Sequence, residues 1–243
     1  MPQLPTVLEL FKNGVHFGHQ VSRWHPKMKP FIFTQKNGVH IINLEITEEK
    51  IKTAHEFIKK IITNGGMVLF VSTKKQAQPI VEKYAKEVGM PYVTERWLGG
   101  TFTNFAEVRR LVQYYITLKQ RKESGDLASK YTKKEQLKFA KEMEKLQRVV
   151  SGIVDLKKLP EAIFVVDIKT DTTTINEAHK KEIPIVAICD SNVNPDMITY
   201  PIPGNDDGIK SIELITSYIA SAVKEGLEEK SKKQPAKPAA KTK

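Results

Sequence analysis

The chain has very little cysteine and no long hydrophobic run. Its 243 residues include a single cysteine, Cys189, which excludes an internal disulfide and fits a reducing compartment. Cys189 lies in the apolar segment IPIVAICD, where we expect a small buried side chain. The apolar runs are far shorter than the roughly 20 residues of a membrane-spanning helix. The N-terminus also lacks the features of a signal or transit peptide. These absences predict a globular, cytoplasmic protein.

The phosphate-binding motifs of nucleotide enzymes are missing as well. Neither G-x-G-x-x-G nor G-x-x-x-x-G-K-[ST] occurs in the chain. The segment WLGGTFTNF, residues 97–105, places two glycines after a predicted strand. No Lys-Ser/Thr pair follows them to hold phosphate and metal, so this segment is a weak signal for a phosphate loop. A nucleotide or sugar-phosphate enzyme on a Rossmann-like fold stays as the alternative, with Lys74, Lys75 and Asp190 as its ligand-binding residues.

The histidines give little support for a metal site. His16 and His19 are three residues apart and could face one metal from a helical turn. Gly14 and Gly18 argue against a rigid helix there, and no His/Cys/carboxylate quartet is evident. We therefore predict no metal and no cofactor, while a role for this pair stays open.

Three aspartates follow predicted strands, where α/β enzymes often place carboxylates. They are Asp167, Asp171 and Asp190. The surrounding segment DIKTDTTTIN is typical of helix caps and turns, so we expect these carboxylates to accept hydrogen bonds from turn N–H groups. Metal binding by them is the less favoured reading. With no Ser/His/Asp arrangement in view, the sequence predicts no catalytic residue.

Positive charge is abundant, and its placement is informative. The formal net charge is +11. Residues 1–43 carry a net charge of +4, residues 105–150 carry +6, and residues 224–243 carry +4. Residues 151–223 are acidic, with a net charge of −5, which would suit a protein partner. Three separate basic segments favour a nucleic-acid partner.

Short apolar segments alternate with helical patterns along most of the chain. MVLFVS, AIFVVD and IPIVAICD are nearly continuous apolar runs of strand length. Such strands are typical of a parallel sheet covered by helices on both faces. The segment KNGVHIINLEIT is predicted as an additional strand.

The middle of the chain breaks this alternation. Apolar residues recur there at heptad-like spacing, first over 108–118 and then over 139–153. Thr132 and Glu135 have the spacing of a capping box ahead of the second run. Two such runs joined by a turn predict an inserted antiparallel helical, coiled-coil hairpin. We expect Gly99 and Gly100 to turn the chain into it, Trp97 and Phe102 to pack at its base, and Thr103 or Asn104 to cap its first helix.

These patterns divide the chain. We expect an N-terminal basic arm (1–43) leading into an α/β domain (44–104 and 151–226), an inserted helical hairpin (105–150) and a disordered basic tail (227–243). The tail is rich in Lys, Ala and Pro and offers little apolar surface to bury.

The candidate RNA-binding residues come from the basic segments and from two turns. Lys74 and Lys75 lie near a predicted helix N-terminus, which favours anions. Aromatic side chains among cations either stack on bases or anchor the arm on its own core, and both alternatives stay open. The full set is Arg23, Trp24, Lys27, Lys29, Lys36, Lys74, Lys75, Arg96, Asn104, Arg109, Arg110, Lys133 and Lys134.

Several of these segments together resemble a known family. They are GVHFGHQVSRWHPKMKPFIFTQKNGVHIINLEIT, STKKQAQ, RWLGGTFTNF and LPEAIFVVDIKTDTTTINEAHKKEIPIVAICDSNVNPDMITYPIPGNDDGIKSIEL. The family is the second protein of the small ribosomal subunit (universal uS-two) in its bacterial form, and the resemblance runs from about Val7 to about Val223. Ser72 and Glu182 depart from residues that are usual in it.

The resemblance implies a flavodoxin-like sheet with an inserted helical hairpin. It also implies a structural constituent of the small ribosomal subunit that binds small-subunit rRNA and helps to hold protein one of the subunit. No enzymatic activity is implied, in agreement with the missing catalytic motifs.

Overall fold

The structure, a computed structural model, describes residues 5–233. Its helices are α1 (Val7–Lys12), α2 (Leu44–Thr63), α3 (Gln78–Glu87), α4 (Phe105–Glu123), α5 (Asp126–Lys130), α6 (Lys133–Val150), α7 (Thr172–Lys180) and α8 (Ile209–Lys233). Its strands are β1 (Phe17–Gln20), β2 (Ile32–Lys36), β3 (Val39–Ile42), β4 (Val68–Val71), β5 (Tyr92–Val93), β6 (Ala162–Val165), β7 (Ile185–Cys189) and β8 (Tyr200–Pro203). None of the helices in this part of the chain is long and apolar enough to span a bilayer.

The main sheet has five parallel strands in the order β5-β4-β6-β7-β8. Numbered within the sheet, this is the 2-1-3-4-5 order of flavodoxin-like folds. Every residue of β4, β6 and β7 is buried, which explains why these strands are continuous apolar runs rather than alternating ones. The predicted flavodoxin-like α/β fold is confirmed.

Alternate strand residues supply two separate cores. Val68 and Phe70 of β4 pack into a cluster with α1, α2, α3 and α8 on one face of the sheet. Leu69 and Val71 pack into a second cluster with α7 and the base of α4 on the other face. Because successive side chains of a strand point to opposite faces, one apolar run serves both cores.

A small antiparallel sheet, with the order β1-β3-β2, forms from the N-terminal segment. Asn37 and Gly38 link β2 to β3, with φ of 52° and 75°. Two positive φ values in a two-residue turn are typical of a tight hairpin. The strand predicted over KNGVHIINLEIT is too long, because Asn43 ends it and caps α2 by accepting the N–H of Glu45 at 3.0 Å.

Helices α4 and α6 pack against each other, and α5 lies between them in sequence. Leu118 lines a cavity with Met143, whereas Tyr115 lines another with Gln147, so the two helices run antiparallel. The capping box is confirmed, since the Thr132 N–H donates to Glu135 Oε2 at 2.9 Å. The coiled-coil character of this packing stays a prediction.

Helix α8 continues beyond the boundary expected for the tail. Gly226 approaches α2 so closely that an added Cβ would lie 2.7 Å from the Cβ of Ile62. Lys59 Nζ lies 3.2 Å from Glu225 Oε2 and 2.7 Å from Glu229 Oε1. These contacts explain why 227–233 is helical, which corrects the predicted start of the disordered tail. The remaining tail, 234–243, lies outside the described residues.

Candidate functional site

Doubly wound folds bind ligands outside the carboxyl ends of their strands, and in this chain one lysine occupies that edge. Lys74 follows β4, and its Nζ lies 2.8 Å from Asp206 Oδ1, 2.6 Å from Asp207 Oδ1 and 3.3 Å from Asp167 Oδ2. Burial alone would lower the pKa of Lys74, but its hydrogen bonds to Asp206 and Asp207 outweigh that effect and raise it. Lys74 was predicted to contact a phosphate. In the structure, carboxylates of the same chain surround its charge instead.

The N-terminal sheet closes the same edge. His19 of β1 places Nδ1 at 3.0 Å from Asp190 Oδ1 and Nε2 at 3.4 Å from Asp207 Oδ2. The hydrogen bond to Asp190 is the main cause of a raised pKa of His19. The ligand atoms of His19, Asp206 and Asp207 lie within 4.8 Å of one another, a spacing that a metal ion could use. His16 is not part of this group, because its ring stacks on Phe11 at 4.5 Å.

The strand-end aspartates accept hydrogen bonds from loop groups, as expected. Asp167 Oδ1 accepts the N–H of Thr170 at 2.9 Å. Asp171 accepts the N–H of Thr73 at 3.1 Å and its hydroxyl at 2.9 Å. Burial raises the pKa of Asp171 to about 6. These contacts tie the loops after β4 and β6 to each other.

The glycine loop does hold an anion, but the anion is a side chain of the protein. Glu177 Oε1 accepts the indole N–H of Trp97 at 3.1 Å and the N–H of Gly100 at 2.7 Å. Its Oε2 accepts the N–H groups of Phe102 at 2.9 Å and Thr103 at 3.2 Å. Burial would raise the pKa of Glu177, but these donors outweigh it and hold the pKa below its ordinary value. The loop is thereby fixed to α7.

Two other expectations about this loop have different outcomes. Trp97 and Phe102 are buried in edge-to-face contact, with ring centroids 4.9 Å apart, in the same core cluster as the base of α4. Asn104 is the N-cap residue of α4, as expected, although its side chain makes no capping hydrogen bond. Glu177 is not among the residues predicted from the sequence, although its place next to Ala178 on the buried side of α7 was a usable signal.

Most of the predicted RNA-binding cations are exposed. Seven of them have no ion-pair partner within residues 5–233: Arg23, Lys29, Lys36, Lys75, Arg96, Lys133 and Lys134. Lys27 pairs with Asp196 at 3.1 Å, and Arg110 pairs with Glu107 at 2.5 Å. Trp24 is half-buried against His40, with ring centroids 5.2 Å apart, so its ring contacts the chain's own sheet.

The hairpin cations fall into two groups. Arg109 and Arg110 lie near the start of α4, whereas Lys133 and Lys134 begin α6 at the opposite end of the hairpin. The rise of an α-helix separates the two ends by about 20 Å. Arg109 has a structural role as well, because its Nη1 donates to the carbonyl of Leu156 at 3.1 Å.

The acidic stretch 151–223 is less acidic at the surface than its composition indicates. Five of its carboxylates are buried: Asp167, Asp171, Glu177, Asp190 and Asp206. They bind groups of this chain, so they do not form the acidic protein-binding face that the charge count predicted. A different surface has the character of a protein contact: Leu8, Phe11, Phe17 and Phe33 are each at least 50% exposed.

The fold and this surface define the class of protein. It is an α/β protein in which Lys74, at the ligand-binding edge of the sheet, is paired with carboxylates of the same chain. Within residues 5–233, the predicted cations without ion-pair partners lie on the N-terminal segment, on loops and on the helical hairpin. The model of the ribosomal protein S2 family matches residues 10–226.

Relatives match over nearly the whole chain. The small ribosomal subunit protein uS2 of Fusobacterium nucleatum subsp. nucleatum is 50% identical over 218 residues, which cover 90% of this chain and 88% of the relative. The uS2 protein of Mycobacterium leprae is 50% identical over 223 residues, covering 92% and 80%. The chain belongs to the uS2 family of ribosomal proteins. It is a structural constituent of the small ribosomal subunit, it is not an enzyme, and it works in the cytoplasm as part of the ribosome.

Proposed function

We propose that the chain binds small-subunit rRNA through its basic arm and helical hairpin, with the α/β domain (44–104 and 151–226) as a rigid mount. The observation that carries this proposal is the set of exposed cations without partners in residues 5–233, which include Arg23, Lys36, Lys133 and Lys134. Cations of this kind neutralise backbone phosphates and position a protein without reading base sequence.

The hairpin contacts the RNA at two places in this proposal. Arg110 serves one end and the Lys133–Lys134 pair the other, about 20 Å apart along the helix axis. Two anchored ends fix the direction of the hairpin as well as its position. Specificity then comes from RNA shape, because phosphate contacts carry no base information.

The test is a charge-reversal variant, Arg110→Glu with Lys133→Glu and Lys134→Glu. Arg109 is left intact because it holds the Leu156 carbonyl. The slope of log affinity for small-subunit rRNA against log salt should become shallower by roughly 2 to 3, since each lost phosphate contact contributes about 0.7 to 0.9.

The matched control is Lys52→Glu with Lys60→Glu and Lys210→Glu. These lysines are exposed on α2 and α8, and the change in net charge is the same. Equal effects of the two triple variants, or an rRNA affinity that does not depend on salt, would contradict the proposed role of the hairpin.

We also propose that the chain docks protein one of the small subunit, through the exposed apolar patch Leu8, Phe11, Phe17 and Phe33. Phe11 and Phe33 line one shallow pocket of about 280 Å³ together with His16. Exposed aromatic side chains grouped around a pocket are typical of protein-binding surfaces. The patch replaces the acidic stretch as the docking surface, since much of that stretch is buried.

The docking proposal is tested with Leu8→Ser and Phe33→Ser, which are 61% and 72% exposed. Small subunits assembled with this double variant should retain rRNA binding and lose purified protein one during sedimentation. Leu137→Ser is the control, because Leu137 is 65% exposed on α6. Full retention of protein one by the double variant would sink the docking proposal.

A further inference from the structure

Another pocket lies where the strand order reverses. The connection after β4 leads to β5 on one side, whereas the connection after the neighbouring β6 leads to β7 on the other side, so the two connections diverge at this point. Between these connections is a pocket of about 310 Å³, lined by Thr73 after β4, Arg96 after β5, and Thr173 and Thr174 of α7. Open α/β sheets bind their ligands at such a switch point.

One wall of this pocket contains a buried hydroxyl that lacks a partner. Thr174 is 0% exposed, and its Oγ1 has no hydrogen-bond partner within residues 5–233. Buried side-chain hydroxyls are nearly always hydrogen-bonded, so an unpartnered hydroxyl on a residue that lines a pocket points to an acceptor supplied by a ligand.

The donors around this hydroxyl favour an anion. The N-cap residue of α7 is Asp171, whose side chain makes no capping bond because it accepts from Thr73 instead. The first turn of α7 therefore has no side-chain cap, and helix N-termini attract anions. Arg96 is exposed and has no ion-pair partner in the described part of the chain.

Two carboxylates limit the charge that the pocket accepts. Glu95 and Asp171 both line it. Within the described part of the chain, the positive charge in the pocket comes only from Arg96 and from the N-terminus of α7. A singly charged phosphodiester therefore fits better than a doubly charged free phosphate. We propose that this pocket seats one phosphodiester of the rRNA backbone, held by Arg96, by the first turn of α7 and by the Thr174 hydroxyl. This inference rests on the proposed rRNA-binding function.

Thr174→Val removes the hydroxyl and keeps the shape of the side chain. Because the hydroxyl has no protein partner, the unbound variant should remain folded and at least as stable as the original chain. Its affinity for small-subunit rRNA should fall about tenfold, through the loss of one hydrogen bond to a charged oxygen. Arg96→Ala should weaken binding and make the salt slope shallower by about 0.7 to 0.9.

The chain supplies a close control. Thr216 of α8 is also 0% exposed with an unpartnered Oγ1, but it is not among the residues lining this pocket. Thr216→Val should bind rRNA as the original chain does. Equal affinities for Thr174→Val and Thr216→Val would overturn the pocket assignment.

Two titrations with small anions distinguish a phosphodiester of RNA from a free phosphate ligand. Inorganic phosphate and adenosine monophosphate are titrated against the amide resonances of Thr173 and Thr174. Weak shifts, together with tenfold Thr174-dependent RNA binding, support the phosphodiester. Tight binding of either small anion that depends on Thr174 overturns the RNA assignment in favour of a free phosphate ligand.

The variants also distinguish this inference from the proposed role of the hairpin. If the hairpin variant loses RNA affinity and Thr174→Val does not, only the pocket proposal is wrong. If Thr174→Val loses RNA affinity and the hairpin variant does not, only the hairpin proposal is wrong.

Discussion

The indole N–H of Trp97 donates to Oε1 of Glu177 at 3.1 Å, across 80 positions of sequence. The same carboxylate accepts backbone N–H groups of Gly100, Phe102 and Thr103. A glycine-containing loop of the kind that binds external phosphates is thus occupied by an internal carboxylate. The contact fixes the point where the chain leaves the sheet and enters the hairpin.

Replacing Glu177 should destabilise the protein strongly. Glu177→Ala leaves several buried N–H groups without an acceptor, and we expect a loss of about 3 kcal/mol in the free energy of unfolding. Glu177→Gln keeps one oxygen acceptor and should lose about half as much. Urea unfolding measures both. Glu213→Gln, at an exposed ion pair with Lys83, is the control and should change stability by less than about 0.5 kcal/mol.

The two adjacent glycines should respond differently to alanine. Gly100 has a φ of +93°, and an added Cβ would lie 3.3 Å from the Cβ of Asn104. Gly100→Ala should cost about 1 to 2 kcal/mol, because L side chains disfavour that backbone region. At Gly99 an added Cβ meets nothing within 4 Å, so Gly99→Ala should be neutral within about 0.5 kcal/mol. Thermal unfolding distinguishes them, and similar losses at both positions would contradict this account.

Replacing the neighbouring lysines Lys74 and Lys75 should have very different effects on stability. Lys74→Met leaves Asp167 and Asp206 buried without their cation, and we expect a loss of about 3 kcal/mol or more in the free energy of unfolding. Lys75 is exposed, so Lys75→Met should leave stability within about 0.5 kcal/mol of the original. Denaturant unfolding at neutral pH measures the difference. A stable Lys74→Met protein would show that the ion cluster is not required for folding.

Asp171 should make stability depend on pH. Burial raises its pKa from 3.8 to about 6 in the folded protein. Between these values the folded state keeps a proton that the unfolded state releases, so unfolding becomes easier as pH rises, and above about pH 6 the loss is complete. The shift corresponds to about 3 kcal/mol. Asp171→Asn should remove this contribution, and parallel pH profiles of the two proteins would show that Asp171 does not titrate in this way.

Much of the architecture was predictable because it depends on local patterns. Continuous apolar runs at 68–71 and 162–165 indicate strands buried on both faces, and the structure places them at the centre of the parallel sheet. The capping box of Thr132 and Glu135 is defined by spacing alone, so it could be predicted and is present. Strands β1 and β2 of the N-terminal sheet were not predicted, because these short half-exposed strands give weak periodicity, whereas β3 lies within the strand predicted over KNGVHIINLEIT.

The sequence by itself determined most of the helices, the central strands of the main sheet, the basic charge of residues 1–43 and 105–150, and the absence of nucleotide-binding motifs, since each is a property of neighbouring residues. The tertiary structure decided which charged side chains have ion-pair partners and which do not. Lys74 and Lys75 are adjacent in sequence, yet only Lys74 meets Asp206 and Asp207, which are 132 and 133 positions away. The Glu177 carboxylate likewise accepts hydrogen bonds from residues that are distant in sequence. The electrostatic role of a charge depends on distances and burial that only the folded chain creates.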